Sequence, residues 1–441
     1  MRRRRARLAA QAVLALCAAA GVSEAQPGIT HRGSAAVMVD ALPGVDATEL
    51  RLRLEDVVDV EIDDAWVFRA GSWIDVLAGT RRSDGVRDFV YQPGEIYARY
   101  RQPRFDLTAG FQRVVWGTLD EIQPTDLVNP IDVSRFLFEG RGEARLPVLA
   151  LRGRVFLPHE TTVDAVYVPW FRRGRYDLLD EATSPFNLLA DRCSAAACVA
   201  DLPVPGALPV SVPRVASDPS RTLRNGSVGA RVSRPLRGVD VGASVLRGWQ
   251  AFPLVTLGAV GASPAPGPNP AVVLEERWSR ITMIGGDAEA ARGSVTWRAE
   301  GAMLVDTPVQ AGAGGGIVDG RSLQVGAGLD WTVGPWRTFG NIIGRRAWAV
   351  GPEAARVPST GGVQLVGGAE RKFVRDTRLV RGFAVVDPTE GTAFVRGLGA
   401  WNVRDNLWVE GSAAWFTGDG VDFLGQYTDR DFVSVRVKYY F

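Results

Sequence analysis

Histidine is nearly absent from this chain, whose 441 residues hold two, His31 and His159. Hydrolysis at neutral pH needs an imidazole beside a hydroxyl or a carboxylate to take the proton. Neither histidine suits that work: His31 lies close to the expected mature start, and His159 falls in a short turn between Pro158 and Glu160. A metal-binding histidine cluster, a nucleophile elbow and a phosphate loop are missing as well, and Gly312–Gly316 is loop composition. The sequence therefore predicts no catalytic residue, no cofactor-binding set and no metal ligands. Cysteine is scarce too: of three, Cys17 sits in the N-terminal leader, leaving Cys193 and Cys198 in a stretch without strand pattern. A loop disulfide suits that close pair in an oxidising compartment, with free thiols as the alternative; a metal site would want ligands that are not nearby.

A long apolar run is the next absence. After the leader no stretch of about 18 apolar residues is available to span a bilayer as a helix. The nearest, Gln250–Pro270, contains Pro253, Pro264, Pro266, Pro268 and Pro270 and reads as a loop. Mean hydropathy is close to zero, the value expected when each strand sets one apolar residue outward for every polar one inward. Excess charge is lacking as well. The leader takes five of the 51 basic and one of the 49 acidic residues, leaving 46 against 48, a mature charge of about −2. No basic stripe points to nucleic acid.

The leader itself is plain. Arg2–Arg5 and Arg7 precede the apolar Leu8–Val22, which ends in Ser23-Glu24-Ala25. This is the pattern of a secretory signal peptide over 1–25, with a mature start near Gln26. Leu16 directly before Cys17 argues against lipidation of that cysteine.

What the rest of the chain does have is a period of two. Val433, Val435, Val437, Tyr439 and Phe441 alternate with Ser434, Arg436, Lys438 and Tyr440. The same alternation runs through Phe105–Phe111, Val295–Met303, Leu323–Trp331 and Leu407–Trp415, where helical spacing fits none of the windows. Short turns at 102–104, 157–160, 235–238, 334–335, 374–377 and 404–406 alternate with longer connections. The fold class predicted is all-β: a transmembrane antiparallel up-and-down β-barrel over 26–441 with about 16–18 strands. The long connections, at about 116–142, 171–224, 250–275 and 305–321, are expected on the extracellular side, and the least certain strand count lies in 31–70. Ten of the 13 tryptophans, Trp66, Trp170, Trp249, Trp278, Trp331, Trp336, Trp348, Trp401, Trp408 and Trp415, fall near strand ends, where interfacial girdles would put them.

Two resemblances sharpen this. The final strand, ending in Tyr439 and Phe441, resembles the terminal strand by which the barrel-assembly machinery recognises outer-membrane proteins, which implies the cell outer membrane and its lipid as surroundings. The segment Trp116-Gly117, Asp120, Pro124, Asp126, Asn129-Pro130 and Asp132 resembles the W-G-x-x-D-x-x-x-P-x-D-x-x-N-P-x-D pattern of a poorly characterised family of proteobacterial outer-membrane barrels. The resemblance spans about residues 105–138. It implies a porin-type barrel, at times working beside an inner-membrane exporter, and brings no catalytic residue with it.

Read on its own chemistry, the segment closes a strand at a membrane interface with Trp116 and Gly117, fixes backbone direction with Pro124 and Pro130, and offers side-chain oxygens that bond turn N–H groups. It reads as an ordered loop over or inside the lumen; as a constriction it would select by charge, and a calcium site from the same oxygens is the weaker alternative. Alternation turns Arg51, Arg53, Arg231, Arg298, Arg396, Arg436 and Lys438 inward, with Asp106, Asp240, Glu300 and Asp330. These cations either present a basic wall to anionic solutes or pair with the acids and stiffen the wall. Three functions follow: a porin-like channel with a loop-constricted lumen, a surface adhesion or assembly protein anchored by its barrel, and, least favoured, a membrane hydrolase.

Overall fold

The computed structural model describes residues 28–81, 84–133, 144–175, 186, 214–257, 261–262, 270–271, 274–310, 317–352, 354–418, 422 and 424–441. The leader and the Cys193/Cys198 pair lie outside these residues. Eighteen strands form one sheet: β1 (Ile29–Leu42), β2 (Ala47–Glu61), β3 (Trp66–Arg81), β4 (Asp84–Gln102), β5 (Phe105–Gln112), β6 (Val148–Leu157), β7 (Thr161–Val168), β8 (Ser227–Leu236), β9 (Val239–Trp249), β10 (Arg280–Arg292), β11 (Val295–Gln310), β12 (Ile317–Val333), β13 (Trp336–Ala349), β14 (Thr360–Phe373), β15 (Arg378–Asp387), β16 (Thr392–Arg404), β17 (Leu407–Thr417) and β18 (Phe432–Tyr440). Each pairs antiparallel with the next, and β1 pairs with both β2 and β18, so the sheet closes. Residues 31–70, the stretch hardest to divide by eye, hold β1, β2 and the start of β3.

Closure follows from the alternation. In β12, Leu323, Val325, Ala327 and Leu329 are exposed, while Gly326, Gly328 and Asp330 are buried. Around the ring the outward rows carry exposed apolar side chains, such as Leu107, Leu151, Val245, Ile284 and Ile342, a surface suited to hydrocarbon. Among the described residues no helix is long and apolar enough to cross a membrane.

The start of β1 and the C-terminal residue meet at one rim, where Gly33 and Phe441 exchange backbone hydrogen bonds of 2.8 and 3.0 Å. That rim carries the tight turns; His159 (φ 59) and Glu160 (φ 57) form one of them, two left-handed residues of the kind that matches strand twist. The opposite rim carries the long connections. Two of these join: Leu254–Leu257 pairs with Leu274–Arg277, which pairs in parallel with Arg214–Ser217. The proline-rich 250–275 stretch thus holds short strands of its own.

Two expectations need correction. The connection placed at 305–321 is mostly strand: β11 runs on to Gln310 through a bulge at Val305/Thr307, and β12 begins at Ile317. Pro308 and the glycines masked the continuing alternation. Two tryptophans also miss the outer girdle. Trp278 is buried against Phe171, 5.7 Å between ring centroids, and Trp408 shares the inward row with Lys438.

Inward and outward neighbours should differ sharply in tolerance. Val325→Arg, on the lipid-side row, is expected to destabilise the barrel by about 2–4 kcal/mol in unfolding titrations from lipid vesicles. Gln324→Arg, one residue away but facing the lumen, should have a much smaller effect; equal effects would contradict the assignment of faces.

Candidate functional site

The chain turns inward after Gln112. Its amide nitrogen donates to the Ala150 carbonyl (2.9 Å), and Val114 and Trp116 leave the strand to pack on the lumen face of the wall. Trp116 is 2 % exposed. Its indole N–H donates to Asp164 of β7 (3.2 Å), and its carbonyl accepts from Arg231 of β8 (2.8 Å). Gly229 makes room for the ring, since a Cβ there would come within 2.7 Å of the indole. Trp116 is thus a lumen anchor of the loop rather than a membrane-interface residue.

The next turn closes around Glu300 of β11, which is 3 % exposed. One carboxylate oxygen accepts the backbone N–H groups of Thr118 (2.9 Å) and Leu119 (3.1 Å); the other accepts the N–H (2.7 Å) and hydroxyl (2.8 Å) of Thr125. Hydrogen bonds to an ionised acceptor are about twice as strong as neutral ones, so this carboxylate holds the loop firmly to the wall. Gly117 is required by the geometry: a Cβ would meet Gln123 Cβ at 2.6 Å and Glu300 Oε1 at 2.9 Å. Leu119 then seats on β12 at Gly326, where a Cβ would be 2.6 Å from its methyl group.

The remaining motif residues tie the loop to itself and to its neighbours. Asp120 reaches Arg298 (3.4 Å) and Asn341 (3.5 Å), and Glu121 reaches Arg381 (3.7 Å). Asp126 accepts from Arg145 (2.7 Å). Asn129 is the clamp of the two loop stems: its oxygen accepts from the Val114 N–H (2.6 Å), and its nitrogen donates to the carbonyls of Gln112 (3.1 Å) and Leu146 (2.9 Å). Pro124 and Pro130 are buried, and the Pro130 carbonyl accepts from Leu146 (2.8 Å). Asp132 accepts from Arg175 (3.0 Å) in the following long connection, whose Gly174 N–H in turn reaches Ala251. Asp120, Asp126, Asn129 and Asp132 are therefore spread along the loop, each engaged through one oxygen by a guanidinium, an amide or the backbone, rather than gathered on one point as a calcium site requires.

The inward cations are found beside acids. Arg231 bonds Asp287 (2.8 Å), and Arg298 bonds Asp330 (2.9 Å) and Glu289 (2.8 Å). Arg436 faces Glu410 (3.6 Å) and Lys438 faces Glu55 (3.7 Å); Arg396 donates to Ser412 (3.4 Å). Arg53 grips Asp75 with two bonds of 2.6 and 2.7 Å. Of the two readings of these residues, this geometry matches the pairing one: Arg53–Asp75, Arg298–Asp330, Arg298–Glu289 and Arg436–Glu410 link neighbouring strands, each worth about 0.2–1 kcal/mol, while Arg231–Asp287 and Lys438–Glu55 reach across an intervening strand. Between β1 and β4 the wall leaves a polar cavity of about 360 Å³, lined by Arg32, Glu55, Arg69, Trp73, Glu95 and Arg113.

Sequence reading missed a second inward-folded segment. Leu424 and Tyr427, between β17 and β18, are buried with Phe186 against Phe394, Phe416 and Phe432. The ring pairs Phe186–Tyr427 and Phe394–Phe416 lie 5.5 and 4.7 Å apart. A signal was present: Phe394, Phe416 and Phe432 occupy inward positions on three successive strands.

The architecture is that of a closed 18-stranded β-barrel with its lumen occupied by a loop held to the wall. Residues 82–357 match the family described as "Protein of unknown function (DUF1302)", and the chain belongs to that family. No curated protein matches it. Among solved structures it is similar to Acinetobacter baumannii OccAB3 (10% identity, 94% of this chain and 100% of that one, TM-score 0.48). It is also similar to Salmonella typhi OmpF in complex with daunomycin (9%, 94% and 97%, TM-score 0.42) and to in-vitro folded OmpT, an outer membrane protein of Vibrio cholerae (10%, 94% and 99%, TM-score 0.40). These likenesses are remote, and the fold rests on the chain's own strand pairing.

Two substitutions separate the loop's supports. Asn129→Ala strands backbone groups of both stems and is expected to destabilise the protein by about 1–3 kcal/mol for each buried group left unpaired. Asp120 behaves differently: burial, then the nearby Asp330, raises its carboxyl above the ordinary range, against the pull of Arg298 and Asn341. A raised carboxyl favours the folded state most when protonated, and that contribution is lost as pH rises through its folded pKa. Asp120→Asn should therefore leave thermal stability at neutral pH unchanged or slightly higher and flatten its decline from acid to neutral pH; a clear loss at neutral pH would contradict this.

Proposed function

We propose that the protein is a porin-like outer-membrane channel, whose lumen is narrowed by residues 113–133 of the connection after β5. The observation that carries this reading is the Glu300 anchor. A connection that merely covered the barrel mouth would not need four hydrogen bonds to a carboxylate on the inner wall, whereas a segment that sets an aperture must be held in place. The charge-paired wall beside it supports a water-filled polar route, since ion pairs in contact with solvent water are inexpensive to keep hydrated. On this reading Trp116, Gly117, Asp120, Pro124, Asp126, Asn129, Pro130 and Asp132 build the constriction, and the solute meets Arg298 and its acids beside it. The residues Tyr439 and Phe441 serve barrel assembly, the turn-bearing rim faces the periplasm, and an inner-membrane exporter would meet the protein there.

A second reading, a barrel that anchors surface loops, is favoured by one observation: the apolar packing of Phe186, Leu424 and Tyr427 inside the lumen. Planar-bilayer recordings separate the two. The channel reading expects discrete openings from the wild type, and a severalfold larger, noisier conductance from Glu300→Ala as the loop loses its anchor. A barrel silent in both forms would overturn it in favour of the anchor.

A further inference from the structure

On the outer wall, strands β9 to β12 carry two adjoining rows that mark an edge. One pairs Val245, Ile284, Met303 and Leu323 in register; the next row toward the long connections pairs Arg247, Thr282, Val305 and Arg321. Two arginines and a threonine thus enter the row beyond the apolar one, beside Val305 and Trp348, as expected where hydrocarbon gives way to headgroups. Arg346 of β13 pairs with Leu323 at that edge, and Arg321 with Trp348, so the two arginines are diagonal neighbours on one face, about 7–8 Å apart at their Cα atoms.

Their surroundings are unusual for this protein. Arg321 is exposed and makes no side-chain hydrogen bond or ion pair among the described residues, and Arg346, also exposed, donates to Ser359 at 3.4 Å. Asp319, two residues along β12, forms no ion pair with Arg321. The neighbouring cations are engaged: Arg247 with Thr282 and Asp306, and Arg280 with two backbone carbonyls over the ring of Trp249. At the opposite rim, the outward Arg371 and Arg378 lie over Trp336, Phe373 and Trp401. Among the described residues Arg321 thus has no partner at the apolar edge of the loop-bearing side, and Arg346 beside it has only the 3.4 Å contact with Ser359.

A guanidinium half surrounded by hydrocarbon gains most from a phosphate, which it binds with two parallel hydrogen bonds. We propose that Arg321 and Arg346 form a clamp for the phosphate of an outer-leaflet phosphoglycolipid, whose acyl chains run down the wall along Leu323, Val325 and Ile342. The inference rests on the orientation proposed above, with the long connections outside the cell, and not on channel activity.

The test uses the full-length protein in phosphatidylcholine nanodiscs doped with lipid A, with retained lipid counted by native mass spectrometry. Wild type is expected to retain phosphorylated lipid A severalfold better than its dephosphorylated form. R321Q/R346Q should lose that preference, while R371Q/R378Q at the other rim keeps it. Equal retention by R321Q/R346Q, equal retention of dephosphorylated lipid, or displacement by inorganic phosphate alone would each overturn the clamp. R321Q/R346Q should also keep wild-type conductance, and surface labelling of the 214–226 segment on whole cells checks orientation separately.

Discussion

A strand in hydrocarbon has no water to satisfy its backbone, so every N–H and C=O must find a partner in the sheet. From that constraint follows closure of β1 on β18, and with closure a strict division of side chains into two populations. The outward one is uniformly apolar between the rims. The inward one is free to be polar, and here it is organised as charge pairs between adjacent strands, from Arg53–Asp75 to Arg298–Asp330. The same division explains why a lumen loop is built as it is. Having left the sheet, residues 113–133 need substitutes for ladder bonds, and Glu300, Asn129 and Asp164 supply them.

The segment from Trp116 to Asp132 gains physical meaning in this light. Trp116 and Asn129 hold the stems, Gly117 lets the backbone approach Glu300, and Asp126 and Asp132 recruit Arg145 and Arg175. The contacts of these residues tie the described part of the loop to itself and to the inner wall. The partner that completes the motif, Glu300, is remote from it in sequence and belongs to β11.

Much of the fold was legible because a transmembrane strand repeats its rule residue by residue. The terminal strand from Val433 and the windows at 105–111, 295–303 and 323–331 show the alternation cleanly, and the turns between them hold the phase. Legibility failed where one signal stood for another. Pro308 and nearby glycines read as loop although β11 continues through a bulge, and Trp278 looked interfacial because tryptophan suits both a headgroup and a core. The loop motif was visible, but its anchor was not, since a lone inward Glu300 looks like any other lumen acid until Thr118, Leu119 and Thr125 are folded onto it. Nor did the pairs at 394, 416 and 432 stand out, because a phenylalanine at an inward position matters only once a second apolar segment covers it.

The central claim is that the 113–147 connection is held against the inner wall by the carboxylate of Glu300. Amide hydrogen exchange of the assembled barrel tests it most directly, at Thr118, Leu119 and Thr125. Strong protection at these three amides, lost together when Glu300 is changed to alanine while the strand amides stay protected, is the result predicted. Exchange at the rate of an unstructured loop in the wild type would contradict the account.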